Sequence, residues 1–268
     1  MPSHNQGYPI TIDGVASSTI PEYLCQKIKR EIVGERRHEI KLIPGVAGGL
    51  LVPQQPGMKK ITLESALIAD SFPVARRDAA RAIALWVDKL TWVKMVCGDE
   101  PDFFNWVILD NTPETDEWRE IGEFTLEFLA QPYGISNTIS TDTHTAGSES
   151  DTVALNTVTG EIKTYPVIEL TSSGTTTATI VTLNGRTLTY STQIDDGESI
   201  TIDCIAKVVQ EGTITDTDVV GDFDAAALSM GGVSGQFPWL EVGANSIDIE
   251  MTGSSGWDLD IRWRSRYQ

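Results

Sequence analysis

The sequence lacks a long hydrophobic run and a recognisable leader. Among its 268 residues there is no apolar stretch of about eighteen or more, the length that a membrane-spanning helix needs. The first seven residues, Met-Pro-Ser-His-Asn-Gln-Gly, contain neither a basic nor an apolar segment, so no signal peptide is predicted. We therefore expect a protein that stays in the cytoplasm where it is made, unless an assembly carries it out.

Cysteine and histidine are scarce. The three cysteines are widely spaced and odd in number, which argues against a disulfide framework: Cys25, Cys97 and Cys204. Cys204 shares an alternating face with apolar residues, which predicts a small buried thiol: Ile200, Ile202, Ala206 and Val208. The three histidines lack paired-ligand spacing, so no zinc site is predicted: His4, His38 and His144.

Motifs of the common enzyme classes are also absent. Residues 232–235 lack the spacing of a nucleophile elbow, and no phosphate-binding loop or dinucleotide fingerprint occurs. Paired carboxylates can hydrolyse glycosides, but the candidates lie in turns, where a solvated side chain is the favoured interpretation: Asp99, Glu100, Asp102, Asp195 and Asp196. Another acidic group does not match a calcium loop: Asp216, Asp218, Asp222 and Asp224. We predict no catalytic, cofactor-binding or metal-binding residue, and no enzyme.

The charge is strongly negative and uneven. The chain has 20 Lys and Arg against 38 Asp and Glu, a formal charge of −18, which disfavours binding to nucleic acid. Residues 1–135 hold 14 basic and 19 acidic side chains, a net charge of −5. Residues 136–268 hold 6 basic and 19 acidic side chains, a net charge of −13. This asymmetry indicates two units with different surroundings.

The first half combines strands with one helix. Apolar residues spaced three and four apart predict a helix over residues 73–89: Ala75, Ala79, Ala82, Ile83, Trp86, Val87 and Leu90. Ser71 offers an N-cap. Strands are predicted at residues 8–12, 61–68, 90–96, 103–110 and 121–129, with a hairpin around Gly34 within residues 24–43. The breaker-rich residues 44–60 predict an irregular loop or extended arm of open role.

The second half shows strand patterns only. Residues 135–165 are polar and predict a linker or long loop, with a domain boundary near 135. Asn184-Gly185 predicts a two-residue hairpin turn, because both positions of such a turn need positive φ. Alternation or β-branched enrichment predicts strands at residues 167–170, 178–183, 186–190, 199–208, 246–251 and 259–263. The whole predicts an all-β sandwich of the jelly-roll or lectin kind.

Tryptophan has two interpretations. Three tryptophans fall in the predicted helix–strand core and three in the β half: Trp86, Trp92 and Trp106, then Trp239, Trp257 and Trp263. An exposed tryptophan on a sandwich can bind sugar by stacking, whereas a buried one stabilises the core. Core packing is the favoured interpretation, and weak glycan binding stays open.

Several segments of the second half resemble siphophage distal tail proteins. Residues 237–251, Phe-Pro-Trp-Leu-Glu-Val-Gly-Ala-Asn-Ser-Ile-Asp-Ile-Glu-Met, resemble the closing motif of that family, a Pro-x-Leu segment followed by a Gly-x-Asn turn and an Ile-rich strand. Residues 259–267 resemble its basic and aromatic terminal strand. Residues 197–206 resemble its Gly-x-x-Ile-x-Ile-Asp segment, and Leu183-Asn184-Gly185 precedes it in the same order.

The first half extends the resemblance over nearly the whole chain. Residues 124–133 resemble the strand and Pro-Tyr that end the ring-forming domain of the family, and the helix at 73–89 lies where that domain has its single helix. The resemblance implies an α+β ring-forming domain, an antiparallel sheet with one helix, over residues 1–135. It implies an all-β galectin-like, jelly-roll sandwich over residues 136–268.

The resemblance also implies a function. It indicates a virion structural protein that is assembled in the host bacterial cytoplasm and forms a hexameric ring, single or stacked, at the phage tail tip. Such a hub joins the tail tube protein to tail tip, fibre or receptor-binding proteins, and strands within 90–129 are expected to join edge to edge between subunits. The alternatives are a tail tube protein, a carbohydrate-binding adhesin module, and a glycosidase that uses the acidic turns.

Overall fold

The protein is described here by a computed structural model. The structure describes residues 7–20, 22–32, 40–42, 49–51, 56–68, 73–111, 113, 116–117, 121–212 and 232–267. The chain divides into two compact units, Met1–Gly134 and Ile135–Gln268. In the described part of the chain, no helix is long and apolar enough to cross a membrane.

The first unit is built around one antiparallel sheet. Its strands in chain order are β1 (Ile10–Ile12), β2 (Val15–Ala16), β3 (Tyr23–Arg30), β4 (Ile40–Leu42), β5 (Gly49–Leu51), β6 (Lys59–Ile68), β7 (Val93–Cys97), β8 (Phe103–Leu109), β9 (Asp116–Glu117) and β10 (Ile121–Ala130). The sheet order is β2-β1-β7-β8-β10-β6-β3, with β9 beside β10, while β4 and β5 form a separate hairpin. The longest pairing joins all ten residues of β10 to β6.

The two ends of this sheet are joined to each other. The Tyr8 amide, just before β1, donates to the Cys25 carbonyl of β3 at 2.9 Å. At the far end of β3, Arg30 binds the carboxylate of Asp99, which follows β7. The sheet therefore curls until β3 meets the β1–β7 region, and its apolar face encloses a core of completely buried side chains that includes Ile10, Leu63 and Phe128.

The helix of the first unit, α1 (Pro73–Val87), packs its apolar stripe against this core. Ala79, Ile83, Trp86 and Val87 are buried, as their spacing predicts. Leu90 was expected on the same stripe, but it is 94% exposed because the helix ends at Val87 and the stripe ends with it. The Trp86 indole donates to the Val15 carbonyl at 3.0 Å, and its ring meets Tyr23 edge-on at 5.1 Å.

The expected hairpin within residues 24–43 is wrong. β3 pairs with β6, and β4 pairs with β5, so the two segments of the proposed hairpin belong to different sheets. Within the breaker-rich residues 44–60, residues 49–51 form β5 and β6 begins at Lys59. Gly34 and Ser71 lie outside the described residues.

The second unit is a sandwich of two five-stranded antiparallel sheets. Its strands are β11 (Gly134–Ser136), β12 (Ser140–Ala146), β13 (Ser150–Val158), β14 (Val167–Ser172), β15 (Ala178–Leu183), β16 (Arg186–Tyr190), β17 (Ser199–Asp203), β18 (Val208–Glu211), β19 (Val233–Gly235), β20 (Gly243–Thr252), β21 (Trp257–Trp263) and β22 (Arg266–Tyr267). One sheet has the order β12-β21-β14-β17-β18, and the other has the order β13-β20-β15-β16-β19. β11 pairs with β22.

Alternating apolar residues from both sheets fill one core. Trp257, Trp263, Tyr190, Ile168 and Leu170 are among its largest fully buried side chains. Burial of each large apolar side chain stabilises the fold by about 1.5–3 kcal/mol. The alternation is clearest in β20, where every second residue from Asn245 to Met251 is buried. The sandwich architecture expected for the second half is thus present.

The predicted linker at residues 135–165 is wrong. Residues 140–146 and 150–158 form β12 and β13, which pair with β21 and β20 along nearly their whole lengths. Each is an outer strand of its sheet. Threonine and serine therefore occupy exposed positions there, while few apolar residues are needed: Val153, Leu155 and Val158 face the core. The polar composition of residues 135–165 therefore reflects two outer strands and not a loop.

Two turns of the sandwich bear on the predictions. Asn184 and Gly185 have φ of 51° and 72°, and they join β15 to β16, which confirms the two-residue hairpin. The single strand expected at 199–208 is interrupted by a turn after Asp203, where Lys207 has φ of 58°. The Asp203 carboxylate accepts hydrogen bonds from the Ile205 and Ala206 amides, so the turn has its own side-chain support.

Candidate functional site

The residues considered for metal binding and catalysis do not come together. Among the described residues, no three His, Cys, Asp or Glu side chains are placed to hold a metal ion. His4, His38 and the acidic group at 216–224 lie outside those residues. Residues 233–235 form the edge strand β19. Asp195 and Asp196 are exposed in a turn, where Gln193 donates to the Asp195 carboxylate at 2.7 Å.

His144 has a structural partner. It lies in β12, not in a linker, and its Nε2 is 3.0 Å from the Asp151 carboxylate of β13. The neighbouring Asp142 accepts hydrogen bonds from the Asn156 backbone and side chain. The hydrogen bond from His144 is the main reason that the pKa of Asp151 is lowered. These pairs link the outer strands of the two sheets.

The acidic turn after β7 is an ion-pair site. Arg30 donates to both oxygens of Asp99, with Nη1–Oδ2 and Nη2–Oδ1 distances of 2.8 and 2.6 Å, and its Nε lies 3.6 Å from Glu100. Its hydrogen bonds to Asp99 lower the pKa of that carboxyl group and raise the pKa of Arg30. Asp99 is therefore a structural partner and not a free turn residue.

All three cysteines are buried and free, which agrees with the expected buried thiol at Cys204. Burial raises the pKa of Cys25 to about 11 and also raises the pKa values of Cys97 and Cys204. A thiol with a raised pKa holds little thiolate near neutral pH, so it is a poor nucleophile. The arrangement favours packing as the role of these cysteines.

The tryptophans divide into buried and half-buried groups. Trp86, Trp257 and Trp263 are at most 3% exposed and serve the two cores. Trp92 and Trp106 are half-buried, so of the three tryptophans expected in the core of the first unit only Trp86 is fully enclosed. Trp239 is half-buried on the sandwich and is therefore the tryptophan of the second unit with an accessible surface.

Three of the segments that carry the family resemblance meet around Trp239: residues 183–185, 237–251 and 259–267. Residues 162–165 lie beside both Trp239–Leu240 and the terminal strand, because Thr164 exchanges backbone hydrogen bonds with Leu240 and Ile162 bridges to Arg266. The Asn184 side chain of the hairpin turn donates to the Trp239 carbonyl at 2.8 Å. Four segments that are far apart in the sequence thus meet around Trp239. The order of these segments along the chain does not predict that they come together.

Asn245 organises the loop at this place. Its amide nitrogen donates to the Glu241 and Gly243 carbonyls at 2.9 and 3.0 Å. Its side-chain oxygen accepts from the Glu241 amide and from the Asn184 side chain, both at 2.9 Å. The side chain is 6% exposed, and these bonds satisfy its buried polar atoms. The Gly-x-Asn motif therefore closes the loop onto the hairpin turn.

Cations and aromatic rings surround the same loop. The Lys163 ammonium lies 3.9 Å and the Arg186 guanidinium 3.3 Å from the centre of the Trp239 ring. Tyr165 meets Trp239 edge-on at 6.5 Å, and Arg266 lies 5.2 Å over the Tyr165 ring. The Trp239 indole donates to Glu241. We call Lys163, Tyr165, Arg186, Trp239 and Arg266 the cation–aromatic patch.

The outer face of the β12–β21–β14 sheet carries an acidic groove of about 450 Å³ that sequence reasoning missed. Asp258, Asp260 and Glu169 line it together with exposed threonines. Asp258 accepts a hydrogen bond from Thr145 at 2.6 Å, and Arg262 pairs with Asp260. The groove depends on the pairing of β14 with β21, which places Asp260 beside Glu169. The alternation of residues within one strand does not show which residues of another strand lie beside it.

Exposed apolar side chains concentrate in the first unit. Among the described residues, eight large hydrophobic side chains are exposed, and seven of them belong to the first unit: Tyr8, Val15, Ile32, Met58, Ile68, Leu85 and Leu90. The eighth is Val242. Leu85 and Leu90 are 68% and 94% exposed, at and just beyond the end of α1.

The strands at 90–129 do not offer the free edges that were expected. β7 lies between β1 and β8, β8 between β7 and β10, and β10 between β8 and β6. Only residues 128–130 of β10 pair with β8, but the Asn111 side chain bonds to the Thr125 carbonyl and the Glu127 amide beyond that point. Within the described part of the chain these strands have partners in their own sheet, which leaves little free edge, and edge-to-edge joining between subunits stays a prediction.

The fold, an antiparallel sheet with one helix followed by a β-sandwich, is similar to that of a solved phage hub protein. One solved structure that it matches over nearly the full length is the Dit protein of phage SPP1, described as a paradigm of the hub adsorption apparatus in phages that infect Gram-positive bacteria. The match covers 97% of this chain and 99% of that protein, with a TM-score of 0.69 and 15% sequence identity. The resemblance inferred from the motifs is confirmed at the level of the fold.

Weaker likenesses extend to the baseplate of phage p2 in its activated conformation. The chains solved with strontium and with calcium each share 12% identity, with TM-scores of 0.46 and 0.45. In both cases the match covers 96% of this chain and 98% of the other. No protein-family model matches the sequence, and the search of curated proteins finds no match.

Proposed function

We propose that this protein is a structural, non-catalytic subunit of a phage tail hub. It forms a hexameric ring that joins the tail tube to the tail tip and its host-recognition proteins. The observation that carries the proposal is the fold likeness to SPP1 Dit across 97% of the chain. A hub subunit needs interaction surfaces and no catalytic group, which fits buried, unreactive cysteines and ion-paired carboxylates.

The first unit is the part that forms the ring in this proposal. This unit contains seven of the eight exposed large hydrophobic side chains of the described residues, and a contact between subunits could bury some of them. A contact between two different faces of identical subunits closes into a ring when the rotation between subunits allows it. Apolar side chains such as Leu85 and Leu90 would form this contact, in place of the strand edges within 90–129.

The second unit, a galectin-like sandwich, projects away from the ring in this proposal. Its net charge of −13, against −5 for residues 1–135, makes neighbouring sandwiches repel one another. Such repulsion is screened over about 8–10 Å near physiological salt, so it biases their orientation without holding the ring together. The tail tube protein would bind one side of the ring, and tail tip, fibre or receptor-binding proteins the other.

Negative-stain electron microscopy of the purified protein tests the proposal. We expect six-fold rings, single or stacked, with a central channel. Isolated particles of the size of one chain at every accessible concentration would contradict the ring. Glycan-array binding by a monomer would instead support a carbohydrate-binding module, and tubes with no projecting sandwich would support a tail tube protein.

A further inference from the structure

The cations of the second unit are few, and half of them gather in one place. Residues 136–268 contain six basic side chains: Lys163, Arg186, Lys207, Arg262, Arg264 and Arg266. Three of these, Lys163, Arg186 and Arg266, belong to the cation–aromatic patch. In a unit of net charge −13, such grouping creates a local basic surface within an acidic one.

The patch contains cations that are available to a ligand. Arg262 is paired with Asp260, and Arg264 is 5% exposed and donates to the Ser136 and Asn137 carbonyls. By contrast, within the described part of the chain, Lys163 and Arg186 contact the Trp239 ring and no carboxylate. A guanidinium stacked on a ring keeps the N–H donors in its own plane free. Arg266 has further partners of its own, so Lys163 and Arg186 are the two available cations.

The patch is held in place before any partner arrives. Arg186 directly follows the Asn184-Gly185 turn, and Asn184 is bonded to both Trp239 and Asn245. Thr164, between Lys163 and Tyr165, exchanges hydrogen bonds with Leu240. Side chains that are already ordered lose little conformational entropy on binding, so a fixed patch binds more tightly than a mobile one.

The composition of the patch is that of a protein-binding surface. Tryptophan, tyrosine and arginine are enriched where proteins bind each other and dominate the energy of such contacts. Val242, in the loop that Asn245 closes, adds an apolar side chain that is 46% exposed. A phosphate polymer would use the cations but would gain little from the rings and the valine. The chemistry therefore favours a polypeptide with carboxylate side chains.

We propose that the cation–aromatic patch docks an acidic polypeptide segment of another protein. Lys163 and Arg186 bind its carboxylates, while Trp239 and Tyr165 pack against its apolar atoms. Another copy of the second unit is disfavoured as the partner because its net charge of −13 repels an equally acidic unit. This inference goes beyond the hub proposal and does not depend on ring formation.

Two short labelled peptides test the proposal with the full-length protein. One contains glutamates among small and apolar residues, and in the other every glutamate is replaced by glutamine. We expect saturable binding of the glutamate peptide, measured by fluorescence anisotropy, with an affinity that falls as salt rises. Arg186→Gln and Lys163→Gln should each weaken it by about threefold. Lys207→Gln, the matched loss of an exposed cation elsewhere in the unit, should leave it unchanged.

Five results would overturn the proposal. Equal binding of the two peptides, or equal weakening by Lys207→Gln, would show that the patch does not recognise carboxylates. Tighter binding of inorganic polyphosphate, in competition with the peptide, would assign the patch to a phosphate polymer. A change of oligomeric state in Arg186→Gln would make the patch a contact between copies. If Arg186→Gln lowers the melting temperature but leaves the peptide affinity unchanged, the contact of Arg186 with Trp239 stabilises the fold and does not bind a ligand.

Discussion

Arg30 and Asp99 are 69 positions apart and form a two-pronged ion pair that joins the end of β3 to the turn after β7. Both side chains are about one third exposed, at 27% and 32%. The pair connects the last strand of the sheet to its opposite end, where the Tyr8–Cys25 hydrogen bond also lies. A planar guanidinium bound to both carboxylate oxygens fixes orientation as well as distance.

Asp99→Asn should lower the free energy of unfolding by about 1 kcal/mol, since the pair is partly screened by water. Because Arg30 lowers the pKa of Asp99, this stabilisation is present above the ordinary aspartate pKa and is lost as the pH falls through the lowered value. The difference between wild type and variant, measured by denaturant unfolding, should therefore be constant near neutral pH and shrink below about pH 4. Asp102→Asn, an exposed change in the same turn, is the control. If the difference in the free energy of unfolding grows as the pH falls, the Arg30–Asp99 pair does not stabilise the ionised carboxylate.

Gly185→Val should destabilise the protein by about 1 kcal/mol or more, because a β-branched residue resists a φ of 72°. The cost is one of backbone conformation alone, since a Cβ added at Gly185 would meet no atom within 4 Å. Gly147 has equally open surroundings without a left-handed φ, so Gly147→Val should melt close to the wild type. Equal melting temperatures for the two variants would mean that the turn conformation contributes nothing.

Asn245→Ala should lower the free energy of unfolding by about 2–3 kcal/mol, because it leaves buried backbone groups of the loop without partners. The adjacent Ser246→Ala is the matched control, since Ser246 is exposed. Thermal melting of both variants measures the difference. A loss in Asn245→Ala no larger than in Ser246→Ala would show that the Asn184–Asn245 network does not hold the loop.

The periodicity of apolar residues in the sequence correctly predicted the helix and those strands that have one apolar and one polar face. The α1 stripe and the strands β10, β20 and β21 follow from apolar spacing, and the Asn184-Gly185 turn follows from its need for positive φ. The strands β12 and β13 were missed because an outer strand of Thr and Ser shows no apolar alternation strong enough to separate it from a loop.

Long-range pairing was beyond the reach of local patterns. Nothing in residues 24–43 shows that β3 pairs with β6 and not with its neighbour in sequence, because the alternation of one strand does not identify its partner. The cation–aromatic patch was missed for the same reason. Lys163, Arg186 and Trp239 carry no joint signal until four segments of the second unit are brought together. The closing motif was recognised, but its hydrogen bonds to Asn184 were not.

The exposed leucines at the end of α1 give a test of the ring contact. Leu85→Glu and Leu90→Glu add charge to side chains that are 68% and 94% exposed, so the fold of the single chain should survive. Each variant should shift the protein toward smaller species in sedimentation velocity, because the new carboxylate must be desolvated in an apolar contact. Val242→Glu, the matched change in the second unit, should leave the assembly intact. If Val242→Glu produces smaller species while Leu85→Glu and Leu90→Glu do not, the sandwich and not the first unit forms the contact between subunits.

The mass of the wild-type protein in solution tests the central claim most directly. Multi-angle light scattering across a concentration series should give six chains of 29.2 kDa, a particle of about 175 kDa, or twice that mass for two stacked rings. The same particle should persist at high salt, because the contact proposed for the ring is apolar and salt screens ion pairs rather than apolar contacts. A mass of 29.2 kDa at every concentration would contradict the hub.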